Sequence, residues 1–398
     1  MKKSLVKQKV DLIANCIFSH NQYSQNEPFG LFDGSCGQLL FLLYYSNFSK
    51  NKRHILLVES FAERILQQFI TSVNSHTFCS GLSGILYLFD FLLENDCIDI
   101  DVSYAQPMLD NYLADKMRQN IQQNYYDFMH GALGVGLYFL KKKTNPEYIW
   151  EIINFLYQTA EKDVDKQTYK WKSFVLVNKK NCAAYNLAMS HGIISIIIFL
   201  TRVVKSGIHS EKIVNMIVYT INYILSQEKD YLKFGSYFPS FILINSQECV
   251  LKSRLAWCYG DLGIGLALWQ AGNVLEKTEW EEKGLNILIQ STKRKILSDT
   301  FILDAGICHG SAGITMIYRR MYLETGIKEF KEAQEYWKNQ TLNFSQFKDG
   351  LVGYKTFEKD KWNSNDYSLI TGISGIGLVL LSCLDNNKQD WDEIFLLS

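Results

Sequence analysis

The chain has 398 residues, enough for one large domain or two ordinary ones. Hydrophobic residues make up 47%, so a sizeable core is available, and Lys plus Arg equals Asp plus Glu at 41 each. That balance argues against nucleic acid as the main partner, because phosphate binding needs clustered positive charge.

Residues 2–10 carry lysines with no continuous apolar run behind them, which predicts an amphipathic helix and not a signal peptide. The longest uncharged apolar run, Gly192 to Thr201, falls far short of the roughly 20 residues of a membrane span. A soluble cytoplasmic protein is expected. The 9 cysteines are odd in number and scattered, which suggests reduced thiols or metal ligands in place of a disulfide framework.

Along the chain one unit recurs seven times: a glycine, a second small residue three positions on, then an apolar run. The first glycines are Gly34, Gly81, Gly131, Gly192, Gly260, Gly310 and Gly372. The fourth copy departs from the pattern, with Ser195 in place of the second glycine, which puts local packing in doubt. Runs such as Ile85-Leu86-Tyr87-Leu88-Phe89 are apolar nearly all round and predict buried helices. Glycines three apart share a helical face and let a neighbouring backbone approach.

Between the motifs lie amphipathic segments, predicted as helices over 53–71, 146–162, 210–226, 276–297 and 328–339. Ile213, Ile217, Ile221 and Ile224 form one such stripe. Only 4 prolines interrupt the chain. An open solenoid needs polar caps on its end repeats, but the first and last motifs are as apolar as the rest. The expected fold is therefore all-α: an α/α toroid of seven inner and seven outer helices, forming a single domain over residues 1–398. Three longer intervals, 168–177, 230–251 and 347–367, are aromatic, turn-rich or strand-like. They are expected as short strand-containing insertions on one rim, walling a cleft.

On that rim, the position before the repeat glycine holds Asp33, Ser80, His130, His191, Tyr259, His309 and Thr371. Two before it stand Phe32, Cys79, Met129, Ser190, Cys258, Cys308 and Ile370. Repeats five and six are neighbours, so Cys258, Cys308 and His309 can converge on one point. Two thiolates and an imidazole suit Zn²⁺, and three protein ligands leave a coordination position for chemistry. Such an electron-rich zinc is a weak Lewis acid but deprotonates a further thiol that stays nucleophilic. Cys79 is expected as a core thiol and His130 in a structural role. His191 is either a fourth ligand or a proton carrier. Asp127 can orient a histidine or act as a base. Arg254 can bind a carboxylate or backbone carbonyls, or neutralise Asp127 or Asp261.

Taken together, the seven motifs, the stretch Asn186–Gly192, residues Arg254 through Gly260 and the triplet Cys308-His309-Gly310 resemble the lanthionine synthetase C-like family. The resemblance covers the whole chain and implies an α/α toroid. It implies a catalytic zinc on Cys258, Cys308 and His309, with Asp127, His191, Arg254 and Tyr259 around it. It implies addition of peptide cysteines to dehydroalanine or dehydrobutyrine, giving the thioether rings of lantibiotics. Tyr259 is similar to the residue of the stand-alone bacterial cyclases. The substrate would then be a dehydrated precursor peptide supplied by a separate dehydratase, with a membrane transporter as a further partner. The competing readings are a thiol transferase acting with glutathione, and a peptide-binding scaffold with a structural zinc.

Overall fold

In the computed structural model, residues 2–23, 27–72, 75–95, 106–244, 252–358, 360–385 and 387–398 are described. The described residues are mostly helical, as expected, with short strands that reach beyond the expected intervals into 161–163 and 180–186. The seven inner helices each begin one residue after a repeat glycine. They are α2 (Ser35–Ser49), α4 (Leu82–Glu94), α6 (Ala132–Lys142), α8 (Ile193–Lys205), α11 (Asp261–Leu275), α14 (Ser311–Thr325) and α16 (Ile373–Ser382).

An outer helix precedes each of them. These are α1 (Lys2–Tyr23), α3 (Lys52–Ser72), α5 (Gln106–Gln122), α7 (Pro146–Thr159), α9 (Glu211–Leu225), α12 (Thr278–Ser291) and α15 (Lys328–Asn343). Two single turns, α10 (Tyr231–Phe234) and α13 (Leu297–Thr300), complete the set. No described helix is long and apolar enough to cross a membrane.

Two compact units emerge. Unit 1 comprises Met1–Tyr104 and Ile302–Ile394; unit 2 comprises Ala105–Phe301 and Phe395–Ser398. Within unit 1, α16 packs on α14, α1 and α2, so the last repeat sits beside the first. Within unit 2, α8 packs on both α6 and α11, with α5, α7, α9 and α12 against the inner helices. The inner helices are buried on nearly every face; α8 exposes only its last turns.

The predicted segments survive with shifted ends. The helix foreseen over 146–162 stops at Thr159, because Ala160 turns extended and Glu161 enters β1 (Glu161–Asp163). That strand pairs antiparallel with β2 (Thr168–Lys170). The alternating run 168–177 is two strands: β2 and, in another sheet, β3 (Ser173–Val177). The latter pairs with β4 (Lys180–Asn186), which pairs with β5 (Phe241–Leu243). In unit 1, β6 (Thr356–Glu358) and β7 (Lys361–Asn363) form a hairpin. Residues 245–251, the end of one expected insertion, lie outside the described residues.

The repeat glycines have a local cause. Each loop doubles back so that the carbonyl six residues before the glycine lies against the first helical turn. The amide after the glycine donates to it: Ser35 to Pro28, Leu82 to Ser75, Ala132 to Tyr125, Ser311 to Asp304 and Ile373 to Asp366, all between 2.8 and 3.1 Å. The second glycine repeats the relation three residues on. A Cβ on Gly84 or Gly313 would overlap the carbonyl oxygen of Phe78 or Ile307. The close backbone approach anticipated from the spacing is real, but the backbone is the chain's own preceding loop. At Ser195 the hydroxyl turns onto the Gly192 carbonyl at 2.7 Å, which satisfies it within the helix's own first turn.

Replacing Gly313 with Ala should therefore cost about 3 kcal/mol of stability by overpacking. Gly326 has φ 70 and open space around it, so Gly326→Ala should cost only the left-handed strain, about 1 kcal/mol. Chemical denaturation of both variants checks this, and the reverse ranking would contradict the loop-contact account.

Candidate functional site

The same doubled-back loop fixes where the rim side chains stand. Position four before the glycine caps the amide just before the glycine: Thr77 Oγ1 accepts from Ser80 N–H at 3.2 Å, and Ser368 Oγ from Thr371 N–H at 3.3 Å. In repeat three this job falls to Asp127, whose Oδ1 accepts the His130 amide at 2.8 Å. A carboxylate has a second oxygen to spare. Its Oδ2 takes the Nδ1 of His191, one repeat on, at 2.7 Å.

The structure thus joins Asp127 and His191 in unit 2, and of the two roles open to Asp127 from sequence the contact is the one that orients a histidine. Burial works against a charged His191, but the hydrogen bond and charge of Asp127, with Cys258 nearby, outweigh it and hold the imidazole above its ordinary value. With Nδ1 committed to Asp127, Nε2 is the ring nitrogen left for other chemistry. His130, given a structural role from sequence, stacks on His191 with ring centroids 5.9 Å apart.

Cys258 is buried, 4% exposed, in the loop before α11. Its carbonyl accepts the Met189 amide at 3.0 Å, so the loops of repeats four and five are tied together at the cysteine. The glycine after this loop differs from the others. Gly260 has φ 88, whereas the six other repeat glycines lie between −91 and −137. Its left-handed conformation suits glycine above other residues. Tyr259 and Arg254 are half-buried in the same loop. Arg254 does not neutralise Asp261, one of the roles open to it. That partner is Arg294, with Nη1 at 3.8 Å from Asp261 Oδ2, both side chains almost wholly buried. Nor does it neutralise Asp127, which is bound to His191. Burial pushes the Asp261 carboxyl up to about 6, against the pull of Arg294 and of the Tyr237 and Phe238 amides.

In unit 1, Cys308 and His309 precede α14. The Cys308 amide donates to Ile370 O at 2.9 Å, again linking neighbouring loops at the cysteine position. His309 Nε2 lies 3.2 Å from the Phe357 carbonyl and 3.6 Å from Asp304 Oδ2. Asp304 is nearly fully buried and spends Oδ1 on the Gly306 amide and Oδ2 on the Phe357 amide. Sequence reasoning missed it. The signal was available, since Asn186 and Asp366 sit six before their glycines and cap in the same way. Cys79 is buried, in keeping with a core thiol.

Donor chemistry at these positions fits zinc. Two thiols and an imidazole are present, and the Nε2 of His309 lies against the Phe357 carbonyl. As they stand, no three His, Cys, Asp or Glu side chains among the described residues form a group that could hold a metal ion.

The dyad makes a directional prediction. Asp127→Asn keeps an oxygen for the His130 amide but removes the charge beside His191, so burial should carry the imidazole below its ordinary value. The His191 titration midpoint followed by NMR should fall; an unchanged midpoint would contradict the assigned cause.

Comparison with known proteins matches this geometry to a family. The profile of the lanthionine synthetase C-like proteins matches residues 25–396. Nisin biosynthesis protein NisC of Lactococcus lactis subsp. lactis is 23% identical over 410 residues, covering 96% of this chain and 92% of that protein. The solved structure of a nisin cyclase superposes with a TM-score of 0.77 at 20% identity, covering 98% of this chain and 97% of that one. The shared fold is the α/α toroid anticipated from the seven repeats. The chain belongs to the lanthionine synthetase C-like protein family.

Proposed function

We propose that this protein is a lanthipeptide cyclase. It joins peptide cysteine thiols to dehydroalanine or dehydrobutyrine within one precursor peptide, over a single catalytic domain of residues 1–398. The observation that carries the reading is the family match across residues 25–396 together with the Asp127–His191 dyad beside Cys258.

Cys258, Cys308 and His309 would hold zinc, which when bound lowers the pKa of a substrate thiol while leaving it nucleophilic. The thiol gives up its proton, the sulfur forms a bond to the β-carbon, and the C=C π electrons move to the α-carbon and its carbonyl as an enolate. One proton then returns to the α-carbon. His191 is the group we assign to that transfer, through Nε2, with Asp127 fixing its tautomer and favouring its charged form. Arg254 and Tyr259, on the loop that carries Cys258, shape the space around the peptide. The reaction consumes one thiol and one alkene and changes no mass. Its substrate must come from a dehydratase that removes water from Ser or Thr. We place the protein in the cytoplasm, with that dehydratase and a membrane transporter as partners.

A peptide bearing one cysteine and one dehydrobutyrine supplies the test. Ring closure should abolish thiol alkylation without changing the peptide's mass. A gain of glutathione mass, or no change in thiol titre, would overturn the cyclase reading.

Cys258→Ala and Cys308→Ala should each remove zinc as measured by elemental analysis; metal retained at one per chain would refute the ligand set. His191→Asn should keep zinc and slow ring closure at least about 100-fold, the usual reach of a general acid. Full activity would remove the acid role, and loss of zinc would make His191 a ligand.

A further inference from the structure

Trp257 belongs to the motif that carries Cys258, yet the proposed reaction gives it no part. In unit 2 its indole Nε1 donates to the carbonyl of Phe395 at 2.8 Å. The two rings meet edge to face, with centroids 5.5 Å apart. Two more side chains reach the same short segment. Gln270 of α11 donates to Leu396 O at 3.0 Å, and Arg202 of α8 to Ser398 O at 2.6 Å.

Residues Phe395, Leu396 and Leu397 are buried, and Leu396 holds φ 65. A left-handed leucine is strained and persists only where its surroundings over-determine it. Here three donors from three places grip main-chain oxygens of one four-residue stretch. The Cys258 loop is thereby held from two sides: by the Trp257 indole against residue 395, and by its own carbonyl against Met189.

We infer that residues 395–398 brace the Trp257–Cys258 loop, and that Trp257 is a positioning residue for the Cys258 sulfur. The inference rests on the zinc reading above. A metal–thiolate bond tolerates errors of only about 0.2 Å, so a ligand on a loop needs its backbone fixed. Groups that orient ligands without touching the metal typically change its affinity 10–100-fold.

Three variants separate the contributions. Trp257→Phe keeps an aromatic ring and removes the N–H donor. The double variant Gln270→Leu with Arg202→Met leaves the motif untouched and releases the other two anchors, so the brace is tested even where Trp257→Phe does not fold. Phe395→Leu removes the ring contact but keeps the carbonyl. The first two should bind zinc at least 10-fold more weakly in competition with a chromogenic chelator, and should shift the Co²⁺–thiolate charge-transfer band. Phe395→Leu should stay within about threefold of the parent protein.

In metal-free protein the alkylation rate of Cys258, read by peptide mapping, should rise at least 10-fold in the first two variants. Zinc affinity and alkylation rate both unchanged in folded variants would overturn the brace. A parent protein that binds no zinc would overturn the ligand assignment instead, and the alkylation rates would then decide on the brace alone.

Discussion

The contact between each repeat glycine and the carbonyl six residues before it is the constraint on which the rest depends. It forces the chain to double back before every inner helix, so positions just before the glycine stand alike in each repeat. Neighbouring loops are then joined through the backbone two residues before the glycine. In unit 1 the Phe32 amide donates to Cys79 O, that of Cys308 to Ile370 O and that of Ile370 to Phe32 O, at 2.9 Å in each case. Cys258 occupies the same position in unit 2. A side chain placed there sits where two loops are locked, which suits a residue that must not move.

The two histidines beside this position are held by the same economy of a carboxylate's two oxygens. Asp127 spends one on its own loop and one on His191. Asp304 spends one on its own loop and one on the Phe357 amide, which brings the 356–363 hairpin up to His309. Asp127 thus holds its imidazole directly, whereas Asp304 acts through the hairpin whose Phe357 carbonyl meets His309. Structure and chemistry share these groups, so their loss would disturb both. Asp261 marks the contrast. It pairs with Arg294 and with the backbone of 237–238, and it serves the packing of the insertion onto α11.

Phase was what the sequence made legible. Seven glycine motifs, recurring at unequal intervals but with one internal pattern, announced the helical repeats. Cys258, Cys308, His309, Asp127 and His191 stood out by their offsets from those glycines, but that Asp127 reaches His191 is seen only in the structure. Partners that arrive from elsewhere in the fold carry no such phase. Arg294 lies past the end of an outer helix, so the sequence offered only Arg254, among its other roles, as a partner for Asp261. The break between β2 and β3 was hidden for a similar reason. Alternation runs on through residues 171–172, while Trp171 leaves the strand path to bury its ring and bond the Leu156 carbonyl at 2.9 Å. The grip on residues 395–398 is made to backbone oxygens, which no residue identity can advertise.

The pairing of the last repeat with the first has a consequence for synthesis. Unit 2 is drawn from one continuous stretch apart from residues 395–398, while unit 1 needs both Met1–Tyr104 and Ile302–Ile394. A chain emerging from the ribosome can collapse unit 2 while α1 and α2 still lack the α16 surface they pack on. Joining segments so distant in sequence is slow, because the entropy of closing so long a loop is lost before the contact repays it. The first repeat must therefore keep its apolar helices from straying until α16 has been made. The stretch that steadies Trp257 follows α16 in the chain, so the Cys258 loop gains its Trp257 anchor only after α16 has been made.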